Sequence, residues 1–248
     1  MNSLRTVRAE LRKLTSTRMP WAFLIVFVVI GAATAIAVAF GTDMDGSKTF
    51  ISTAADQQSL MAFAGNALVI AGLFGAIAVA REYGHGTVVL TFLTTPRRSR
   101  AVLAQFSAAF IAGTVLGLVG AAISAGSVAA GLTATDFGFM VSAADLAQVL
   151  AASTLAGGAG AVLGAGVGAL VRNTGGAVTG TILLLVILPP LAVQMVTETA
   201  SWIPATLANV ASGTDGTVGI AAAIAAIAMW ALVPAAIGMF AVARRDVV

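Results

Sequence analysis

Residues 21–40 read WAFLIVFVVIGAATAIAVAF, twenty consecutive apolar or small residues without a charge. At about 1.5 Å of rise per residue, a helix of that length covers the roughly 30 Å of hydrocarbon in a bilayer. Five basic residues precede the run, and Ala35-Ile36-Ala37 and Ala37-Val38-Ala39 look like signal-peptidase sites. A secretory apolar region is only about 7 to 15 residues long, so the segment is read as a retained membrane span rather than a cleaved leader.

Further apolar runs follow at 60–80, 101–132, 146–171, 175–190 and 218–243. With six spans drawn this way, Lys48 alone among 13 Lys and Arg falls on the far side. Asp43, Asp45, Asp56, Asp136, Asp145, Glu198 and Asp215 fall there among ten acids. That bias places both termini in the cytoplasm of a cell whose inner or plasma membrane holds the chain. The composition agrees: with 59% apolar and 9% charged residues and a mean hydropathy of +1.00, there is too little polar surface to coat a soluble globule. The expected fold is all-α integral membrane, one domain over residues 1–248 with six transmembrane helices.

Ahead of the first span, Leu4, Val7, Leu11 and Leu14 recur at helical spacing between Arg5, Arg8, Arg12 and Lys13. Residues 1–19 therefore read as an amphipathic helix on the cytoplasmic leaflet, leucines in the acyl boundary and cations toward headgroups. A solvated helix carrying topology-setting charge is the alternative. Residues 41–58 read as a short outer loop. The 32-residue run at 101–132 exceeds the bilayer thickness and must tilt, bend or project. Pro189 and Pro190 should stop the fifth helix near the outer face. After them, 191–215 should hold short helices lying at or dipping into the outer interface. Gly113 and Gly117, Gly160, Gly164 and Gly168, and Gly176 and Gly180 recur at four-residue spacing, which suits close helix packing in lipid.

Several chemistries are disfavoured. Without cysteine there are no disulfides or thiolate metal sites, and a single His builds no metal site without carboxylate help. No metal site or catalytic site is expected on this chain. No Asp, Glu, Lys or Arg lies mid-span, which argues against a proton-coupled carrier and an intramembrane protease. No G-x-x-x-x-G-K-[ST] phosphate loop occurs, so active transport would be powered by a partner. The pI near 10.2 arises from basic residues flanking the spans; no basic face with interleaved aromatics offers a nucleic-acid surface. Gln105, Thr114, Ser124, Gln148 and Thr179 either line a path or bond to neighbouring helix backbones.

The longest cytoplasmic connection, Arg81-Glu82-Tyr83-Gly84-His85-Gly86-Thr87 through Thr95 to Pro96-Arg97-Arg98-Ser99-Arg100, resembles that of the type-2 ABC transporter permeases. Glu82, Gly86, Thr87, Pro96 and Arg100 match the family's pattern, whereas Tyr83, His85 and the short outer loops depart from it. The order of elements, from interfacial helix to outer helices between spans 5 and 6, is also similar. The resemblance implies a short cytoplasmic coupling helix at 87–95. Val88, Val89, Leu90, Phe92 and Leu93 would fill a groove on a soluble subunit, with Glu82 and the arginine cluster fixing orientation. A positive-inside loop with interface-buried apolar residues is the plainer alternative.

It further implies the membrane subunit of an exporter, paired with an identical or paralogous copy through the first and fifth spans. Two copies of an ABC ATPase would supply the power, and ATP and Mg2+ would bind there rather than on this chain. The substrate would be an amphipathic small molecule, a peptide antibiotic or a lipid. A non-transporting scaffold or immunity protein, and an ion-coupled secondary carrier, are the competing readings.

Overall fold

The computed structural model describes residues 3–43, 46–64, 67–84, 86 and 98–244, and every regular element among them is helical. In chain order these are α1 (Ser3–Thr15), α2 (Met19–Phe40), α3 (Ala54–Ala64), α4 (Ala67–Gly84), α5 (Arg98–Leu132), α6 (Ala143–Val171), α7 (Thr174–Ile182), α8 (Leu188–Met195), α9 (Pro204–Ala211) and α10 (Ile220–Arg244). Six helical segments are long and apolar enough to cross a membrane: α2, α5, α6, α10, the run Ala54–Gly84 made by α3 and α4, and the run Thr174–Met195 made by α7 and α8.

Local side-chain chemistry sets several boundaries that apolarity does not mark. The helix leading into the second apolar run starts at Ala54, ahead of residue 60, because Thr53 and Asp56 cap each other. The Asp56 amide donates to Thr53 Oγ1 at 3.1 Å, and the Thr53 amide donates to Asp56 Oδ2 at 3.0 Å. Ser142 and Asp145 begin α6 in a related way, three residues ahead of the apolar run. Asn173 starts α7 by accepting the Gly176 amide at 3.0 Å.

Pro189 and Pro190 do not stop the fifth helix. It runs on to Met195 through a single wide turn, Leu183–Ile187, of π geometry, in which the Leu188 amide reaches back to the Leu183 carbonyl. A proline cannot donate to the carbonyl four residues earlier, and its ring crowds that carbonyl. The prolines follow the wide turn and enter α8 in its first turn, where their missing N–H groups are least needed.

The bundle is built around α6, which packs against α4, α5, α7 and α10. Glycine makes this possible on three sides at once. Along one face Gly160, Gly164 and Gly168 lie against the backbone of Leu68, Gly72 and Ala76 in α4, so close that a Cβ on Gly164 would overlap the Gly72 carbonyl. On a second, Gly157 meets Gly113 and Gly117 of α5; on a third, Gly166 meets Gly238 and Ala235 of α10. Lipid supplies no hydrophobic drive between helices, so dispersion at this close approach is what holds them. α2 packs on α5 at the periphery. Over its most apolar membrane-length stretch α6 has 72% of residues buried, against 22% for α2, the fifth span and α10.

At one end of the bundle, short helices close over the core. α9 is folded inward, with Leu207, Val210 and Ala211 buried against α6 and α10. Gln57, wholly buried, donates to the Ile51 and Gly138 carbonyls at 3.1 and 3.0 Å and accepts the Met140 amide at 3.0 Å. At the other end, α1 does not lay all its leucines outward. Leu14 is buried with Phe27, Phe74, Ala108 and Leu116, Leu11 packs beside it, and only Leu4 of the pair's own stripe remains widely exposed. Arg5, Arg8 and Arg12 point away from the bundle.

Candidate functional site

The end of α4 carries Arg81, Glu82, Tyr83 and Gly84, the beginning of the connection singled out in the sequence. Gly86 follows with φ of +68° and its amide on the Tyr83 carbonyl at 3.2 Å, a left-handed residue ending a helix where a Cβ would be strained. His85, Thr87, Pro96 and Arg97 lie outside the described residues, as does the short helix expected at 87–95. α5 resumes at Arg98, and Arg100 on its first turn is exposed.

Glu82 is the hub of this end. Its side chain is 13% exposed, although it stands only two residues from the end of its helix at Gly84. Gln105, one to two turns into α5 and buried, donates to Glu82 Oε2 at 2.7 Å. Lys13 of α1 approaches Glu82 Oε1 at 3.4 Å and donates to Glu10 Oε1 at 2.8 Å. One ammonium thus bridges two carboxylates, and three elements far apart in sequence meet on one acid. Burial, followed by the charge of Glu82, holds the Glu10 carboxyl above its ordinary value against the opposing pull of Lys13. Burial pulls the Lys13 ammonium down, but its hydrogen bond to Glu10 and the two nearby carboxylates together push it above its ordinary value.

The neighbours of Glu82 fasten the other helices to the same place. Arg81 Nη1 lies 4.0 Å from Met19 Sδ at the start of α2. The Arg172 guanidinium, at the left-handed C-cap of α6, stacks over the Tyr83 ring at 5.2 Å and reaches the Ala241 carbonyl of α10 at 3.5 Å. The starts of α2 and α5 and the finishes of α1, α4, α6 and α10 therefore share one end of the bundle. Three buried polar atoms here, Tyr83 Oη, Gln105 Oε1 and Arg172 Nε, have no hydrogen-bond partner among the described residues. Such atoms each cost about 1–3 kcal/mol, and in chemical terms they offer one donor-acceptor hydroxyl, one acceptor and one donor around Glu82. The arrangement has hydrogen-bonding and charge-pairing capacity, and among the described residues no nucleophile-base pair is present. Among the described residues no group of three or more His, Asp or Glu could hold a metal ion.

The polar side chains inside the spans serve different ends. Ser124 donates to the Met61 carbonyl at 2.8 Å and Gln148 to the Ala211 carbonyl at 3.2 Å, both on neighbouring elements. Thr114 bonds within its own helix to Ile111, and Thr179 is exposed. Gly176 and Gly180 lie near Val171 and Val167 rather than in a seam with a distant helix. Glu10 and Arg172 were not among the residues expected at the site. Glu10 could have been found as the one acid in an otherwise basic helix, since burying a carboxylate demands a partner.

The described residues thus form an all-helical chain with six membrane-length helices, multi-pass in character, with a charged cluster centred on Glu82 where both terminal helices meet the bundle. No family model and no curated protein matches the chain.

Proposed function

We propose that this chain is the membrane-spanning permease subunit of an ATP-driven ABC exporter in the cytoplasmic membrane, with both termini on the cytoplasmic side. A separate ATPase subunit binds ATP and Mg2+, and two permease copies surround the path of an amphipathic small molecule, peptide antibiotic or lipid. The observation that carries the reading is the bracing of Glu82 by Lys13 and Gln105 at the mouth of the connection between the second and third spans. A force applied to that connection by a soluble partner reaches α1, α4 and α5 together. Through the glycine contacts of α4 and α5 with α6, it reaches the centre of the bundle. A loop serving only to set topology would need no such bracing. The wide apolar faces of α2 and of α7 with α8 are available for a second copy.

Replacing Glu82 with Ala should abolish substrate export while leaving membrane insertion intact. Normal export by that variant would refute the coupling role. Gentle purification of the tagged chain from its host should also recover, in stoichiometric amount, a soluble protein bearing a phosphate-binding glycine-rich loop. Recovery of the chain alone, even after mild crosslinking, would instead favour a scaffold or a carrier.

A further inference from the structure

Between α5, α6 and α10 lies a groove of about 450 Å3, on the side of α10 away from the π turn. Leu103, Phe106 and Phe110 of α5 form one wall, Ala235 and Ala236 of α10 the other, and Val162 of α6 the floor. It exists because α10 contributes alanines where a larger side chain would close it. The volume falls in the range of sites for small organic ligands. The lining offers almost no polar handle: Ser107, the one hydroxyl there, gives its proton to the Leu103 carbonyl at 2.8 Å. Leu103, Phe110 and Leu232 on the rim are 51%, 43% and 58% exposed, so the groove opens sideways. In a membrane-spanning bundle, a sideways opening at this depth faces lipid chains rather than water.

Charge is found at one end of it. Arg100, Leu103, Ser107 and Phe110 succeed one another at helical spacings of three and four, so Arg100 stands one turn beyond the groove on the same stripe, exposed. Gln105, which holds Glu82, lies on the opposite side of α5 from that stripe. Arg244 finishes α10 at the same end, its guanidinium 4.2 Å over the Phe240 ring. An open hydrocarbon trough about 12 Å long on α5, ending at a cation, is complementary to a molecule with an apolar chain and an anionic head.

We propose that this groove holds a phospholipid with an anionic headgroup, one acyl chain lying between α5 and α10 and the phosphate against Arg100. The site lies on the side of α10 away from the π turn of the fifth span, so with copies paired through the first and fifth spans as proposed above it belongs to a resident lipid of the subunit.

The test is native mass spectrometry of the full chain released from micelles containing equimolar phosphatidylglycerol and phosphatidylcholine with identical acyl chains. The wild-type chain should retain phosphatidylglycerol about fivefold over phosphatidylcholine, the effect of one arginine at a headgroup. Arg100→Gln should bring that ratio to about one at unchanged melting temperature, since the side chain is exposed. Ala236→Trp, which fills the groove from its open side, should lower retention of both lipids. Equal retention by the wild-type chain, a preference that survives Arg100→Gln, or full retention by Ala236→Trp would each overturn the assignment.

Discussion

Lys13 lies between Glu10 and Glu82, and the direction in which each group is pushed fixes how the docking of α1 responds to pH. Glu10 is held above its ordinary value of 4.5, so the docked state binds a proton more readily than a released α1 does. Docking therefore gains as pH falls from neutrality toward the ordinary carboxylate range, and loses as it rises. Lys13 is also raised, so its contribution is fully present below 10.5 and is lost as pH climbs past that value. A spin label on Leu14→Cys, in a chain with no native cysteine, should be immobilised at neutral pH and become mobile above about pH 10.5. Unchanged mobility through that range would show that Lys13 does not hold the helix. Glu82→Ala should lower stability in detergent by about 1–3 kcal/mol in an equilibrium melt, because it strands the buried Gln105 amide. Glu82→Gln should cost less, since an amide still accepts from Gln105. The sequence singled out Glu82 as the one acid in a basic connection. Its partners were not legible, because Lys13 and Gln105 are 69 and 23 residues away and no periodicity links them.

Helix by helix, the apolar runs told where the spans lie and the capping chemistry told where they start. Thr53 with Asp56 and Ser142 with Asp145 extend α3 and α6 beyond their apolar stretches, a signal written in the sequence at three-residue spacing. The fifth span was misread because Pro189 and Pro190 were weighed by their local cost alone. The helix continues past them through a wide turn one step upstream, which no residue pattern announces. Glycine spacing pointed to close packing but not to the partner, and the fourth span proves to use three different faces for three different neighbours. Gly164→Val should force α4 away from the Gly72 carbonyl and destabilise the bundle by about 1–3 kcal/mol or prevent folding, read as a lowered melting temperature or loss of the monodisperse species. Gly138→Ala, whose added carbon would meet nothing within 4 Å, is the control and should melt like the parent chain.

For the molecule as a whole, rigidity is distributed unequally. α4 and α6 form the interior, while α2, the fifth span and α10 stand outside with long apolar faces. If two copies pair through α2 in the proposed exporter, Ile25→Cys should form an intermolecular disulfide in native membranes under mild oxidation, whereas Ile237→Cys on α10 should not. The reverse pattern would move the pairing surface to α10. Only the resemblance pointed to a pairing surface, since α2, the fifth span and α10 are all apolar and lipid and protein compete for their outer faces on similar terms. The glycine content of α6 has one more consequence, which concerns how the chain is made. The fourth span has the lowest hydropathy of the six, so it has the weakest claim of its own on the bilayer. Its contacts with α4 and α5 are with helices synthesised before it, whereas α10 emerges last. During biogenesis α6 therefore enters a membrane in which two of its three glycine faces already have somewhere to go, and a ribosome-bound chain lacking α4 should let the fourth span slip out of the translocon into water.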